Sequence, residues 1–152
     1  MNDAPTTGVS ETAGRLRISV ARLARLLRRQ NVDSLGVTLD AALASLDREG
    51  PLTLGELAAI EQIAPPSVTR IATKLEDAGL VVRRFDGQDR RVCRLELTAD
   101  GRRHVADNRS RRHAWLAGQL EQLPPDDLAT LERALVVLER LSASSAVAKA
   151  AS

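Results

Sequence analysis

The hydrophobic period of the chain changes at Gly79, which is predicted to take the left-handed conformation that ends a helix. Up to that glycine, apolar residues recur every three or four positions, which is typical of one face of an α-helix. Between Leu80 and Leu97, apolar and polar residues roughly alternate, which is typical of β-strands. The change predicts a series of helices followed by a two-stranded hairpin over 80–85 and 92–97, with turn-forming residues over 86–89.

Capping residues mark where the predicted helices begin and end. Thr53 and Glu56 have the spacing of a capping box, and Thr38 is predicted to cap the short helix before it. Pro65 suits a first helical turn, because the N–H that proline lacks has no partner there. Thr98 is predicted to cap a long helix over 99–122.

These signals predict a mainly α fold with a small β-hairpin wing, which is a winged helix-turn-helix. We expect a mobile tail over 1–14, a single domain over 15–145 and a frayed tail over 146–152. Within the domain, 38–98 forms a compact lobe between a first helix over 15–31 and two long helices over 99–142.

Composition suits such a fold. The chain has 152 residues, 43% apolar and 28% charged, and its aromatic residues are Phe85 and Trp115 alone. The core is therefore built from aliphatic side chains, which helices accommodate well. The N-terminus has no apolar signal segment and there is no run of about 18 apolar residues, so we expect a cytoplasmic protein.

The net positive charge of the chain is small, but its arginines are clustered in the sequence. The net charge is +2 and the isoelectric point about 9.3, but the arginines fall into three blocks, which are typical of phosphate-binding surfaces. An alternative is that they only solvate helix faces. The blocks are Arg15, Arg17, Arg22, Arg25, Arg28 and Arg29; then Arg83, Arg84, Arg90, Arg91 and Arg94; then Arg102, Arg103, Arg109, Arg111 and Arg112.

The fourth predicted helix, over 65–77, has the position of a recognition helix. Its inner stripe is apolar, so its outer face would project into the major groove of DNA. That face carries Arg70 and Thr73, and Arg70 can form a bidentate pair with guanine. Ser67, Thr69 and Lys74 suit phosphate or mixed contacts. Simple solvent exposure is the alternative for Arg70 and Lys74.

The predicted hairpin carries two further arginines at its tip. Arg90 and Arg91 on a loop can enter a narrow minor groove, which attracts arginine. Asp89 would oppose DNA unless it is paired, so we expect it to hold Arg91 extended through a charge-assisted hydrogen bond. The alternative is a solvated turn with an incidental ion pair.

No enzymatic site is predicted. His104 and His113 are nine positions apart on one helix, on opposite sides, so they cannot share a metal ion. Cys93 lies on a predicted strand and is expected to pack as a small apolar residue. The glycines are scattered and form no phosphate-binding loop. We therefore expect no enzyme activity, no metal and no cofactor.

Several motifs together resemble the MarR (multiple antibiotic resistance regulator) family, over about residues 15–141. The most specific feature is the spacing between the wing aspartate and arginine and the Leu-Thr-x-x-Gly start of the next helix. The motifs are Ser67-Val68-Thr69-Arg70, Leu75-Glu76-Asp77-Ala78-Gly79-Leu80-Val81, Asp89-Arg90-Arg91 and Leu97-Thr98-Ala99-Asp100-Gly101.

The resemblance implies an obligate homodimer in which the first, fifth and sixth helices of both chains interleave. It places the family's wing arginine at Arg91 and its base-reading helix at 65–77. A two-fold dimer would bind a palindromic operator in double-stranded DNA. The dimer contacts are then expected among Leu16, Val20, Leu23, Leu120, Leu131, Leu135 and Leu138.

Members of that family commonly respond to small lipophilic anions bound between the dimer helices and the DNA-binding lobe, so the resemblance also implies an effector. The scarcity of aromatic residues here argues against a stacking pocket for a phenol. We expect a sequence-specific transcriptional regulator that acts as a repressor. The alternative is a non-specific architectural or protein-binding winged helix.

Overall fold

The computed structural model describes residues 6–30, 35–85 and 92–150, and of residues 6, 7 and 144–150 only the backbone. The described chain is mainly helical, with one small antiparallel sheet, which confirms the predicted fold class. It divides into two compact units, Met1–His113 and Ala114–Ser152.

The first helix, α1 (Thr6–Arg29), begins earlier than predicted. Residues 6–14, expected to lie in a mobile tail, are helical. Gly8 and Gly14 each lower helix propensity by about 1 kcal/mol, but neither removes a backbone donor as proline does. The Thr12 hydroxyl donates to the Gly8 carbonyl at 2.8 Å, one helical turn back.

Helix α2 (Val37–Glu49) begins after Gly36, which is its N-cap and has no side chain to bond the first turn. The prediction that Thr38 caps this helix was wrong, because Thr38 lies inside the first turn. The helix buries one stripe that includes Leu43 and Leu46. It ends at Gly50, whose φ of 84° is in the region open to glycine.

A strand that the sequence did not predict, β1 (Leu52–Thr53), precedes α3 (Leu54–Glu61). Two residues are too short to show an alternating pattern. The predicted capping box at the start of α3 is confirmed: the Thr53 side chain accepts from the Glu56 N–H, and the Glu56 side chain accepts from the Thr53 N–H. Ile60 of the same helix is 37% exposed.

Helix α4 (Pro65–Asp77) buries Val68, Ile71 and Leu75, as the helical spacing predicted. It ends in a Schellman motif. The Gly79 N–H donates to the Glu76 carbonyl at 2.8 Å, and the Leu80 N–H donates to the Leu75 carbonyl at 3.0 Å. Gly79 has a φ of 71°, which is the left-handed conformation predicted for it.

The sheet has three strands in the order β1-β3-β2, all antiparallel, where two were predicted. Strand β2 (Val81–Phe85) pairs with β3 (Cys93–Leu97) so that Val81 lies opposite Leu97 and Phe85 opposite Cys93. The inner face of the sheet joins α2, α3 and α4 around one aliphatic core. Its fully buried large side chains are Leu43, Leu57, Leu75, Leu95 and Val68.

Helix α5 (Ala99–Leu120) starts directly against the end of α4. The Thr98 hydroxyl accepts from the Gly101 N–H at 3.0 Å, which confirms the predicted cap, and donates to the Gly79 carbonyl at 2.7 Å. The Thr98 N–H donates to the Leu80 carbonyl at 3.0 Å. A Cβ at Gly101 would lie 2.0 Å from the Leu80 carbonyl oxygen.

The second unit contains the last turns of α5 and helix α6 (Pro125–Ala150). Pro124 precedes α6, and its carbonyl accepts from the N–H groups of Asp127 and Leu128. Residues 146–150 were expected to belong to a frayed tail, but they are helical. The alanine-rich sequence there favours a helix, since alanine has the highest helix propensity.

We predict that Gly101→Ala lowers the free energy of unfolding by about 2–3 kcal/mol, because the added methyl overlaps a backbone oxygen that the α4–β2 turn cannot withdraw. Urea unfolding at one fixed protein concentration measures this change. Gly55→Ala is the matched control, since nothing lies within 4 Å of the added Cβ, and it should be neutral or stabilising by about 0.5 kcal/mol. Equal stability of the two variants would contradict the close approach.

Candidate nucleic-acid interface

The outer face of α4 is a continuous polar surface. Ser67, Thr69, Arg70, Thr73 and Lys74 are all exposed, opposite the buried stripe, as predicted. The threonine hydroxyls donate within the helix. Thr69 donates to the Pro65 carbonyl at 3.2 Å, and Thr73 to the Thr69 carbonyl at 3.1 Å. Each of these hydroxyl oxygens keeps lone pairs that can accept a hydrogen bond, while Arg70 and Lys74 supply the donors.

Neither Arg70 nor Lys74 makes an ion pair within the described residues. The α1 arginines are likewise unpaired there. The other two arginine blocks are largely paired. The ion pairs are Arg83–Glu76, Arg84–Glu96, Arg94–Glu56, Arg102–Glu96, Arg103–Asp100 and Arg109–Asp47.

Two of these ion pairs lie at the base of the wing. The Arg83 Nε atom lies 2.7 Å from Glu76 Oε2, which joins β2 to the last turns of α4. Both side chains are about 30% exposed, so the pair is partly shielded from solvent. On the other face of the sheet, the Arg84 Nε atom lies 3.2 Å from Glu96 Oε2. The orientation of the strands relative to α4 is therefore fixed by side chains as well as by the core.

The wing tip lies outside the described residues. The predicted minor-groove arginines, Arg90 and Arg91, belong to it, as does the predicted hydrogen bond from Asp89 to Arg91. These assignments stay predictions.

The capping box of α3 is tied to the sheet by Arg94. The Arg94 Nη1 atom lies 2.9 Å from Glu56 Oε2. Hydrogen bonds from the backbone and side chain of Thr53 lower the pKa of the Glu56 carboxyl, and the charge of Arg94 lowers it further. The carboxylate thus stays ionised where it anchors the helix that precedes α4.

A crevice of about 500 Å³ lies between α2 and α5 in the first unit. Leu43 and Val105 form part of its wall. His104 Nε2 lies 2.9 Å from Asn108 Nδ2 and 3.3 Å from Asp40 Oδ1. Asn108 is buried, and its Oδ1 atom has no hydrogen-bond partner among the described residues. No pattern of residues predicted this crevice, because it depends on how α2 and α5 face each other.

The residues considered for catalysis do not come together. His104 contacts Asp40 and Asn108, His113 is exposed, and Cys93 is a half-buried free thiol on β3. Over residues 6–30, 35–85 and 92–150, no group of histidine, cysteine and acidic side chains has the arrangement of a metal site.

Apolar stripes on α1 and α6 remain exposed within one chain. In α1, Leu16, Val20 and Leu23 are exposed, Val20 to 52%. In α6, Leu135 is 47% exposed, and Leu131 and Leu138 are half-buried. Leu120, at the end of α5, is also half-buried. These are the residues predicted to form a dimer.

Comparisons with known proteins identify the class. The model of the MarR family matches residues 41–93. An HTH-type transcriptional regulator of Mycobacterium leprae is 35% identical over 134 residues, which cover 87% of this chain and 94% of the relative. The HTH-type transcriptional repressor MdtR of Bacillus subtilis is 34% identical over 86 residues, 57% of this chain and 56% of the relative.

Solved structures agree. A transcriptional regulator of Pseudomonas aeruginosa has a TM-score of 0.81 at 33% identity, over 91% of this chain and 98% of that one. A MarR family protein of Bacillus stearothermophilus has a TM-score of 0.77 at 28% identity, over 94% and 99%. A Staphylococcus aureus MepR mutant bound to an oligodeoxyribonucleotide shares the fold, with a TM-score of 0.67 at 20% identity over 87% and 96%.

The chain is thus a winged helix-turn-helix protein of the transcriptional-regulator class. It belongs to the MarR family, which confirms the resemblance seen in the sequence. Its relatives are regulators, in agreement with the prediction that it is not an enzyme. Within the described residues, no helix combines the length and apolarity needed to cross a membrane.

Proposed function

We propose that the protein is a sequence-specific repressor that binds a palindromic operator in double-stranded DNA as a homodimer. The observation that carries the proposal is the exposed outer face of α4. There Arg70 and Lys74, which have no ion-pair partner among the described residues, lie beside the hydroxyls of Thr69 and Thr73. The names of two similar proteins support it, since MdtR is called a repressor and the MepR mutant was solved with an oligonucleotide.

Arg70 is the residue assigned to base reading. An exposed guanidinium with no carboxylate partner can donate two hydrogen bonds to guanine O6 and N7. Thr73, one turn further along, contacts the next bases, and Ser67, Thr69 and Lys74 fix the helix on the phosphates. Arg90 and Arg91 of the wing contact the adjacent minor groove, with Asp89 holding Arg91 in place.

The duplex for this test is the one that the wild-type protein selects most strongly from a random library. We predict that Arg70→Ala weakens binding to this duplex by about 1–3 kcal/mol and relaxes selection at one base pair per half-site. Fluorescence anisotropy at fixed salt measures the affinities. Arg103→Ala is the control, because that exposed arginine is paired with Asp100 on α5. If the wild-type protein binds selected and scrambled duplexes equally, it is an architectural protein instead.

The homodimer is proposed from the exposed apolar stripes of α1 and α6. Each stripe would leave leucine and valine side chains in water, and a second copy of the same chain offers the matching surfaces. Two recognition helices related by a two-fold axis then meet half-sites about one helical turn apart, which accounts for a palindromic operator.

We predict that Leu23→Arg shifts the protein from dimer to monomer in sedimentation equilibrium, because a charge replaces an apolar contact at the interface. Ile18→Arg is the matched control: both residues are 43% exposed, but Ile18 lies about 140° around α1 from Leu23, away from the stripe. Ile18→Arg should leave the dimer intact. Equal effects of the two substitutions would contradict the assigned interface.

The effector site is proposed to be the crevice between α2 and α5. Its volume of about 500 Å³ suits a small ligand. Ala44 and Val105 would contact an apolar body. Asn108 Oδ1, which has no partner among the described residues, would accept a hydrogen bond from a ligand hydroxyl. The arginines at the crevice, Arg48, Arg109 and Arg112, outnumber its carboxylates, Asp40 and Asp47, which favours an anionic group.

We predict that an aliphatic hydroxy acid such as 3-hydroxyoctanoate raises the melting temperature of the protein. At a ligand concentration of 100 times the Kd, the folded state should be stabilised by about 3 kcal/mol. It should also release the protein from DNA. Asn108→Leu should lose both effects, because the variant offers the hydroxyl no acceptor. Octanoate serves as the matched ligand without the hydroxyl. Unchanged ligand stabilisation in Asn108→Leu would place the effector elsewhere.

A further inference from the structure

Helix α1 has a broad face of arginine side chains, centred on the side opposite its apolar stripe. At about 100° per residue, these arginines fall within about 160° of the helix circumference, away from Leu16, Val20 and Leu23. They are all exposed, and they extend over about 21 Å of the helix axis. We call this surface the α1 basic face, and it consists of Arg15, Arg17, Arg22, Arg25, Arg28 and Arg29.

Few carboxylates oppose the charge of the α1 basic face. The acidic residue of α1 is Glu11, one turn before Arg15, and the sequence has no other acid until Asp33, which lies outside the described residues. Within the described residues, no arginine of this face makes an ion pair. The described arginines of the wing strands, in contrast, are paired with glutamates. The α1 basic face therefore keeps its positive charge.

The spacing of these arginines is unfavourable for the helix by itself. Arg22, Arg25 and Arg29 are three and four positions apart, so like charges lie side by side on the helix surface, which destabilises it. Arg28 and Arg29 lie in the last turn, where the helix dipole favours cations, but that effect does not extend back to Arg22. An anionic partner that contacts several of these side chains at once would offset the repulsion.

The C-terminal end of the α1 basic face lies near the outer face of α4. Arg29 ends α1, and Leu35 follows six residues later, which is a distance of at most about 21 Å along the chain. Leu35 lines the same crevice as Ser67, Arg70 and Lys74 of α4. Both surfaces belong to the first compact unit. A polyanion bound along the outer face of α4 therefore passes within reach of the last arginines of α1.

We propose that the α1 basic face binds the phosphates of duplex DNA outside the segment that α4 reads. Guanidinium groups bind phosphates whatever the base sequence. Duplex DNA carries one negative charge per about 1.7 Å of axis, so a face about 21 Å long meets enough phosphates for all its arginines. The inference rests on the proposed binding of duplex DNA and adds a second contact surface, which contributes affinity without base preference. The phosphates belong either to the flanks of the same duplex or to a second duplex.

The test compares the wild-type protein with two triple variants that each lose three positive charges. Fluorescence anisotropy gives Kd across a salt series on three duplexes: the selected sequence with long flanks, the same sequence without flanks, and a long scrambled sequence. Thermal melting confirms that each variant folds. The α1 triple variant is Arg22→Gln/Arg25→Gln/Arg29→Gln. The control is Arg103→Gln/Arg133→Gln/Arg140→Gln, which changes exposed arginines of α5 and α6.

We expect the α1 triple variant to bind the flanked duplex at least about tenfold more weakly, and the slope of log Kd against log salt to fall by about 2–3, while the control matches wild type. The scrambled duplex should show the same loss of slope, because the α1 basic face reads no bases. If the difference disappears on the duplex without flanks, the flanks supply the phosphates. If it persists there and the wild-type protein links two differently labelled duplexes, a second duplex supplies them.

An unchanged salt slope in the α1 triple variant would overturn the inference, as would equal losses in the two triple variants, which would reflect net charge alone. Loss of the dimer in the α1 triple variant alone, without an effect on DNA binding, would assign the arginines to a second copy. Loss of binding to phosphatidylglycerol vesicles, again without an effect on DNA, would assign them to a membrane surface. A wild-type protein that does not prefer the selected duplex contradicts the proposed function, but the slope on the scrambled duplex still tests α1.

Discussion

Burial of one stripe of α4 is the constraint on which the DNA-binding lobe depends. Val68, Ala72 and Leu75 are fully buried, and they meet α2, α3 and the sheet in a core with no aromatic side chain. Aliphatic side chains of this size interdigitate closely, so the helix cannot rotate without opening cavities. The orientation of the polar face of α4 is therefore set by the buried residues on the opposite side of the helix.

The sequence predicted those parts of the fold that depend on neighbouring residues. The capping box at Thr53 and the left-handed Gly79 are local, and both were confirmed. Strand β1 was missed because two residues are too few to show an alternating pattern. Helices α1 and α6 were predicted too short, because residues of low helix propensity do not by themselves end a helix. At the site, the exposed face of α4 followed from periodicity, whereas the crevice at Asn108 depends on two helices distant in sequence.

Arginine clusters in sequence proved to be a poor guide to free positive charge. Glu56, Glu76 and Glu96 come from three different elements, and each neutralises an arginine of the wing strands. Such exposed pairs contribute little stability. They do neutralise arginines that could otherwise bind phosphates. Arg70 and Lys74 of α4, in contrast, have no ion pair within the described residues. Pairing between elements thus neutralises the described arginines of the wing strands but not the cations of α4.

The close approach of Gly101 to Leu80 has a mechanical consequence. Backbone meets backbone there, with the Thr98 hydroxyl bonded to both Gly101 and Gly79. At Gly101 the first turn of α5 contacts the turn that ends α4 backbone to backbone, so little at this point can absorb a displacement. A shift of α5 along its axis must therefore also displace the end of α4 and the start of β2.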